Sequence, residues 1–148
     1  MTLIVAASDE QWNELTADRT NINWKRVDDS TDINEYKNAD AFFNLKNSFN
    51  VTDFTSFEKP VFINSVIATL ADLKVPAHVL RINGWATFLK RTVWEIAGNV
   101  DEAVISVFTN LNIKINKVAD EPGFISARII AMIINEAYFA VNENVSSK

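Results

Sequence analysis

One stretch of the chain runs Val118-Ala119-Asp120-Glu121-Pro122-Gly123-Phe124-Ile125-Ser126-Ala127-Arg128, and a largely apolar segment continues from it to Val141. Asp120 and Glu121 are residues of the kind that cap a helix, and Pro122 suits a first helical turn because its missing N–H would have no partner there. The stretch therefore predicts a long helix over residues 122–142. Its apolar side chains point in nearly every direction, so we expect its own domain or a second subunit to enclose it.

Upstream of this helix, short apolar runs alternate with short helical segments. We predict seven strands, at Leu3–Ala7, Asn23–Val27, Ala41–Leu45, Val61–Val66, Val79–Asn83, Thr92–Ala97 and Ile113–Val118. We predict helices at Asp9–Ala17, Asp32–Asn38 and Asp101–Leu111, the last with Val104, Ile105, Phe108 and Leu111 facing inward. Strands separated by short helices are typical of βαβ units. The predicted fold class is therefore α/β, with a mostly parallel sheet.

Composition limits the chemistry that the chain can perform. It has 148 residues, a net charge of -5, no cysteine and a single histidine, His78. The acidic balance argues against nucleic acid and anionic membranes as partners, since both favour a basic surface. The lack of cysteine excludes disulfides, thiolate metal sites and cysteine nucleophiles, and one histidine excludes a His-rich metal site. We therefore expect no metal.

Two segments bear on where the protein is found. Residues 1–8 have no basic region and too short an apolar run for a signal peptide. The apolar segment near the C-terminal end contains Arg128, Asn135 and Glu136, and charged groups are costly in lipid. We expect a cytoplasmic protein without a membrane partner.

Two motifs resemble those of a known enzyme family. Glu121-Pro122-Gly123-Phe124-Ile125-Ser126-Ala127-Arg128 is followed by Asn135-Glu136-Ala137, and this order is similar to the segment that links the two domains of 3-hydroxyacyl-CoA dehydrogenases. Those enzymes have an N-terminal Rossmann domain and a C-terminal helical domain that dimerises. The resemblance implies a reduced Rossmann-like domain over residues 1–119, and residues 120–148 as the remnant of a dimerisation domain. It also implies a homodimer formed through the 122–142 helix.

The resemblance also marks the positions where the family's NAD would bind. A dinucleotide-binding turn needs three glycines around the diphosphate, and the aligned positions here are Ala6, Ser8 and Gln11. Asp9 and Glu10 add two carboxylates to the same turn. Asp29 has the spacing of the family's ribose-binding acid, and it fits a turn residue that caps the next helix as well. We therefore expect no NAD bound in the usual mode.

The family's catalytic pair is a histidine at a strand end and a glutamate twelve residues later. Anchors on both sides align the histidine with Asn83, and Glu95 matches the glutamate. Two further positions, a serine that contacts substrate and an asparagine before the arginine, align with Ile67 and Ala127. Asparagine has no proton to exchange near neutral pH, so it cannot act as the base. The dehydrogenase chemistry is therefore not expected to transfer.

A ligand pocket is predicted after the fifth strand, since open α/β sheets carry their crevice at the carboxyl ends of strands. Its predicted lining is Arg81, Asn83, Trp85 and Glu95. Lys90 and Arg91 lie nearby among aromatic residues, which suits an anionic, partly aromatic ligand such as acyl-CoA or a nucleotide. The same mixture is also typical of an ordinary core with a solvated face.

Three functions remain open on the sequence. The first is a homodimeric binding or regulatory protein that resembles 3-hydroxyacyl-CoA dehydrogenases but lacks their activity, as Asn83 and the glycine-free turn indicate. The second is an NAD-dependent 3-hydroxyacyl-CoA oxidoreductase with an atypical cofactor site, supported by the overall order and Glu95. The third is a structural subunit that pairs with another dehydrogenase chain through its apolar helix.

Overall fold

The computed structural model describes residues 1–28, 33–46, 54–143 and 145. Strands in these residues form one sheet in the order β2-β1-β3-β4-β5-β6-β7. They span Thr2–Ala6 (β1), Asn23–Val27 (β2), Ala41–Asn44 (β3), Val61–Asn64 (β4), Val79–Ile82 (β5), Val93–Ala97 (β6) and Lys114–Val118 (β7). Neighbouring strands run parallel except β5 and β6, which are antiparallel. The predicted α/β class with a mostly parallel sheet is confirmed.

The described helices are α1 (Asp9–Thr16), α2 (Leu70–Leu73), α3 (Glu102–Asn110) and α4 (Ile125–Asn142), and a 3-10 turn covers Ile33–Tyr36. α1 begins with a capping box, in which Ser8 Oγ accepts from Gln11 N and the Gln11 side chain accepts from Ser8 N. α3 is capped by Asp101, whose Oδ1 accepts a hydrogen bond from Val104 N at 3.0 Å. These side chains fix where the two helices start.

Two apolar layers cover the faces of the sheet. On the face beneath α1 and α3, aromatic rings contact one another at centroid distances of 4.6–6.5 Å; these are Phe43, Phe62, Trp94 and Phe108. The buried residues of the other face include Ile4, Phe42, Phe54, Val61 and Val79. The central strands are buried on both faces of the sheet, and this burial explains why their sequences are continuous apolar runs.

Two helix predictions require correction, and one helix was not predicted. On α3, Ile105 was predicted to face inward but is 50% exposed, and Val107 is buried in its place. Helical spacing explains this, since positions 104, 107, 108 and 111 share one face. α2 was not predicted, because four residues are too few for a periodic pattern. Only the 3-10 turn Ile33–Tyr36 is observed within the predicted helix Asp32–Asn38, and Asp32 lies outside the described residues.

The long helix begins later than predicted, after Phe124, which makes no side-chain cap hydrogen bond. Asp120 does not cap it. Its carboxylate accepts from Leu70 N at 2.9 Å and Ala71 N at 3.3 Å, at the start of α2. Gly123, at a φ of 71°, turns the chain and donates from its N–H to Val66 O at 2.7 Å. Pro122 therefore belongs to the link before α4.

Among the described residues of α4 only Ala127, in its first turn, is buried. Phe124 and Ala127 are buried with Val66 and Ala97. Further along, large apolar side chains are exposed, namely Ile129, Ile130, Met132, Ile133, Ile134, Tyr138 and Phe139. Within the described residues, its own domain does not enclose this helix. No helix among them is long and apolar enough to cross a bilayer.

Candidate functional site

The strand order reverses at β1, which has β2 on one side and β3 on the other. Parallel α/β sheets bind ligands at such a reversal, outside the carboxyl ends of the strands. An open cleft of about 480 Å³ lies there. The start of α1, the ends of β3 and β4, and residues 84–86 after β5 line it. We call it the switch-point cleft.

Gln11 forms part of the floor of the switch-point cleft. Its Nε2 donates hydrogen bonds to Leu45 O at 2.8 Å and to Gly84 O at 2.9 Å. Its Oε1 accepts a hydrogen bond from Ser8 N at 3.0 Å. One carboxamide thus joins α1 to the segments after β3 and β5. Gln11 is the position aligned with the third glycine of a dinucleotide turn.

Asn64 and Gly84 continue this floor. Asn64 Nδ2 donates to Leu45 O at 3.1 Å, and Asn64 Oδ1 accepts from Gly84 N at 2.9 Å. A Cβ at position 84 would lie 2.9 Å from Asn64 Cγ, so this close approach requires glycine. Leu45 O accepts from both Gln11 and Asn64, which uses its two lone pairs. The polar groups of the floor are therefore bonded to one another.

The first turn of α1 places carboxylates beside the cleft. Asp9 Oδ1 lies 2.7 Å from Arg26 Nη2, which also donates to Ala7 O at 2.9 Å. Glu10 is exposed at the cleft rim. Ala6, the first of the three aligned glycine positions, is buried at the end of β1. Asp29, the predicted ribose-binding acid, lies outside the described residues.

A buried carboxylate that the sequence did not single out holds the loop between β5 and β6. Thr87 has a φ of 73°, a conformation rare for a β-branched residue. Its N–H donates to both oxygens of Glu14, at 2.8 and 2.9 Å. Lys90 Nζ lies 3.7 Å from Glu14 Oε1. Nothing in the local pattern distinguishes Glu14 from a solvated helix residue.

A second and much smaller cavity, of about 20 Å³, lies between this loop and the start of α4. Asn83 and Glu95 both line it, and they adjoin Ile82 and Ile96, which lie opposite each other in the antiparallel pair of β5 and β6. Asn83 Oδ1 accepts from Trp85 N at 3.0 Å. Asn83 Nδ2 is buried and has no partner among the described residues. The structure thus brings the two family-aligned catalytic positions together.

Glu95 also determines how α4 starts. Both of its carboxylate oxygens accept from Ser126 N at 3.2 Å, in the first turn of that helix. A carboxylate at a helix N-terminus satisfies an amide that would otherwise lack a partner. Glu95 therefore replaces the side-chain cap that Phe124 does not supply.

Arg81 and Trp85, the other two predicted pocket residues, lie elsewhere. Trp85 lines the switch-point cleft. Arg81 is fully buried, donates from Nε to Ser65 O at 2.9 Å and from Nη2 to Val66 O at 3.1 Å, and pairs with Asp120. It lines neither cavity described above. The four residues predicted to share one pocket are therefore divided between two cavities and a buried ion pair.

Asp120 is ionised at neutral pH. Burial raises the pKa of Asp120, but hydrogen bonds from Leu70 N, Arg81 and Ala71 N together outweigh burial and hold this pKa below its ordinary value. The carboxylate therefore ties the link before α4 to both α2 and the sheet.

The described residues offer little acid–base chemistry at these cavities. Asn83 does not titrate, and His78 lies at the opposite, amino end of β5, with Nε2 at 3.0 Å from Phe54 O. The positions aligned with the family's serine and asparagine hold Ile67, which is exposed, and Ala127, which is buried. Among the residues that the structure describes, no cluster of His, Cys, Asp or Glu is suited to hold a metal ion.

No protein-family model matches the chain, and no curated protein matches it by sequence. Solved structures do match. The chain is similar to (S)-3-hydroxybutyryl-CoA dehydrogenase PaaH1 from Ralstonia eutropha, with a TM-score of 0.75 and 14% identity over 99% of this chain and 72% of that one. For FadB2 from M. tuberculosis the TM-score is 0.65, with 12% identity over 99% and 73%. For 3-hydroxybutyryl-CoA dehydrogenase from Escherichia coli K12 it is 0.63, with 14% identity over 97% and 38%.

These likenesses establish the fold. The Rossmann-like sheet followed by a C-terminal helix, expected from the resemblance to 3-hydroxyacyl-CoA dehydrogenases, is confirmed. The chain spans only part of each of these solved structures.

Proposed function

We propose that the chain is a 3-hydroxyacyl-CoA dehydrogenase-like protein that acts in the cytoplasm as a homodimeric binding or regulatory protein, without dehydrogenase activity. Gln11 carries this proposal. Its carboxamide bonds to Ser8, Leu45 and Gly84 across the crevice in which the family's cofactor would lie. Its side chain thus fills a position that glycine leaves open in a dinucleotide-binding turn.

Charge adds to that obstacle. The diphosphate of a dinucleotide would approach Asp9 and Glu10 at the first turn of α1. Two unit charges of like sign at 4 Å repel by about 4 kcal/mol at an effective dielectric constant of about 20. Arg26, the nearby cation, already pairs with Asp9 and bonds to Ala7 O. We therefore propose that NAD is not a cofactor of this protein.

The catalytic positions support the same proposal. Oxidation of an alcohol to a ketone needs a group that accepts the hydroxyl proton while hydride leaves. Asn83 offers an N–H donor and a carbonyl oxygen that is already bonded to Trp85 N, so it cannot accept that proton. Glu95 accepts a hydrogen bond from Ser126 N, and the position aligned with its histidine partner holds Asn83.

The proposed ligand is a small acyl-CoA or a nucleotide. Asn83 Nδ2 is a buried donor beside the cavity of about 20 Å³, which has room for a water molecule but not for such a ligand, so the ligand is assigned to the switch-point cleft. Trp85 presents a partly exposed ring to the switch-point cleft. Lys90 and Arg91 follow Trp85 in the loop between β5 and β6, and their positive charges suit phosphate groups. Recognition of the ligand then needs no chemical step.

The exposed α4 supports the homodimer. Each large apolar side chain left in water forgoes about 1.5–3 kcal/mol of transfer free energy, and α4 exposes seven beyond its first turn. A two-fold symmetric dimer is the commonest way in which a single chain covers such a surface. The same surface favours a second candidate, a structural subunit that pairs with another dehydrogenase chain.

The volume of the switch-point cleft, about 480 Å³, favours a third candidate, an NAD-dependent 3-hydroxyacyl-CoA oxidoreductase with an atypical cofactor site. A direct test follows NADH absorbance with acetoacetyl-CoA, alongside calorimetric binding of acetoacetyl-CoA alone. We expect no turnover, for the wild type and for Asn83→His alike, since the histidine restores a base but not a cofactor site. Turnover by the wild type would favour the oxidoreductase. Absence of a homodimer, with co-purification of a dehydrogenase, would favour the subunit.

A further inference from the structure

The charges of α4 are arranged symmetrically about one residue. Of its 18 residues only Arg128 and Glu136 are charged. They lie four positions before and four positions after Met132. At about 100° per residue, the two side chains fall about 40° to either side of Met132, on one face of the helix. The same face carries Ile125, Ile129 and Phe139, and we call it the Met132 face.

The Met132 face is open and largely apolar. Met132 is 66% exposed, and Ile125, Ile129 and Phe139 are also exposed. On the opposite side of the helix Ala127 is buried in the chain's own core, while Ile130 and Ile134 beyond it are exposed. An apolar centre with polar residues at its edges is the usual composition of a protein interface. The Met132 face therefore needs a partner with the same mixture.

We infer that the Met132 face binds the same face of a second copy in antiparallel orientation, with Met132 on the two-fold axis. This inference rests on the homodimer proposed above and adds its geometry. Arg128 then lies opposite Glu136 of the partner subunit, and Ile125 lies opposite Phe139 of the partner subunit. The symmetry forms each contact twice.

The charges select the antiparallel orientation. In a parallel pair, Arg128 would face Arg128 of the partner subunit, and Glu136 would face Glu136 of the partner subunit. Like charges across an interface disfavour that arrangement, and opposite charges favour the antiparallel one. Within its own chain Arg128 Nη1 lies 3.2 Å from Glu121 Oε2, in a half-exposed pair. Such surface pairs are weak, so Arg128 is available to a second carboxylate.

Cysteine cross-linking tests this geometry, because the chain contains no cysteine of its own. We expect Met132→Cys to form a disulfide-linked dimer under mild oxidation, read on a non-reducing gel. Ile125→Cys alone should not, because its two copies lie about 21 Å apart along the helix axes, beyond the reach of a disulfide. A mixture of Ile125→Cys and Phe139→Cys should form the mixed disulfide.

The outcomes separate the geometry from the dimer itself. If Met132→Cys and Ile125→Cys both cross-link, the pair is parallel and the inference is wrong, although the homodimer stands. If neither cross-links while sedimentation equilibrium of the wild type shows a dimer, the interface lies elsewhere. A wild type that sediments as a monomer at all concentrations would overturn both proposals.

Charge reversal gives an independent readout. We expect Arg128→Glu or Glu136→Arg alone to weaken the dimer about tenfold, since each change makes two attractive contacts repulsive. The double variant, with both reversals, should recover wild-type association. If the double variant is weaker than either single one, the two residues do not face each other.

Discussion

The switch-point cleft and α4 differ in which groups they leave without a partner inside the chain. In the cleft, the carboxamides of Gln11 and Asn64 form hydrogen bonds with backbone groups of Leu45 and Gly84, so these side chains and backbone groups have partners within the chain. Along α4, apolar side chains stay exposed beyond the first turn. Hydrogen bonds are short and directional, so one carboxamide suffices to close a polar floor. Apolar cover scales with area, and an 18-residue helix needs another large surface.

The largest difference in unfolding free energy is expected between two phenylalanine substitutions, one in the core of the sheet domain and one on α4. Phe108 is 1% exposed among aromatic rings, and Phe139 on α4 is 60% exposed. Phe108→Ala should lower the free energy of unfolding by about 3–5 kcal/mol, because it leaves a core cavity. Phe139→Ala, measured by urea unfolding at protein concentrations too low for dimers, should change it by less than about 0.5 kcal/mol. Equal losses would mean that α4 packs within its own chain.

The link between the regions depends on a buried cation. Arg81→Met should cost about 3 kcal/mol of unfolding free energy, because it removes the cation that pairs with Asp120 and the hydrogen bonds that Arg81 donates to Ser65 O and Val66 O. Arg26→Met removes a cation from the exposed pair with Asp9 and should cost no more than about 1 kcal/mol. Similar costs for the two variants would show that the Arg81 pair contributes no more than a surface pair.

The floor of the cleft can be opened from α1. Gln11→Ala removes two donated hydrogen bonds and one accepted one, and should lower the free energy of unfolding by about 1–2 kcal/mol. Glu10→Ala, at the exposed neighbouring position, is the control and should stay within about 0.5 kcal/mol of the wild type. If chemical denaturation finds the two variants alike, the Gln11 bridge does not stabilise the cleft.

Replacing the strained Thr87, in the loop beside the cleft, is expected to increase the stability of the protein. Thr87→Gly should raise the free energy of unfolding by about 0.5–1 kcal/mol, since glycine adopts the φ of 73° without the cost that Thr87 bears. Thr109→Gly, in the last turn of α3, should lower it by about 0.4 kcal/mol, since glycine has a lower helix propensity than threonine. Two shifts of the same sign in thermal unfolding would contradict the assignment of strain to Thr87.

Acid should loosen the link through Asp120. Because the folded-state pKa of Asp120 lies below its ordinary 3.8, its contribution to stability is complete above about that pH and is lost as the pH falls through the folded value. The stability difference between the wild type and Asp120→Asn should therefore persist from pH 7 to pH 5 and shrink below 3.8. A difference that does not change between pH 5 and pH 2 would contradict this.

The central strands could be predicted because they are short apolar runs, whereas β2 and β7, at the two edges of the sheet, alternate polar and apolar residues; each observed strand overlaps one of the seven predicted ones. The site could be predicted only in part. Asn83 and Glu95 lie close together because β5 and β6 are antiparallel, and a local sequence pattern does not predict that direction. Arg81 with Asp120, and Glu14 with Thr87, are contacts 39 and 73 residues apart in sequence. A polar residue that becomes buried through so distant a partner looks like a surface residue in its own segment.

The most direct measurement is a calorimetric titration of the purified protein with NADH, followed by acetoacetyl-CoA. The internal bonds of Gln11 and the carboxylates of Asp9 and Glu10 predict no saturable heat with NADH. Saturable binding at micromolar NADH would contradict that account and would favour the oxidoreductase with an atypical cofactor site.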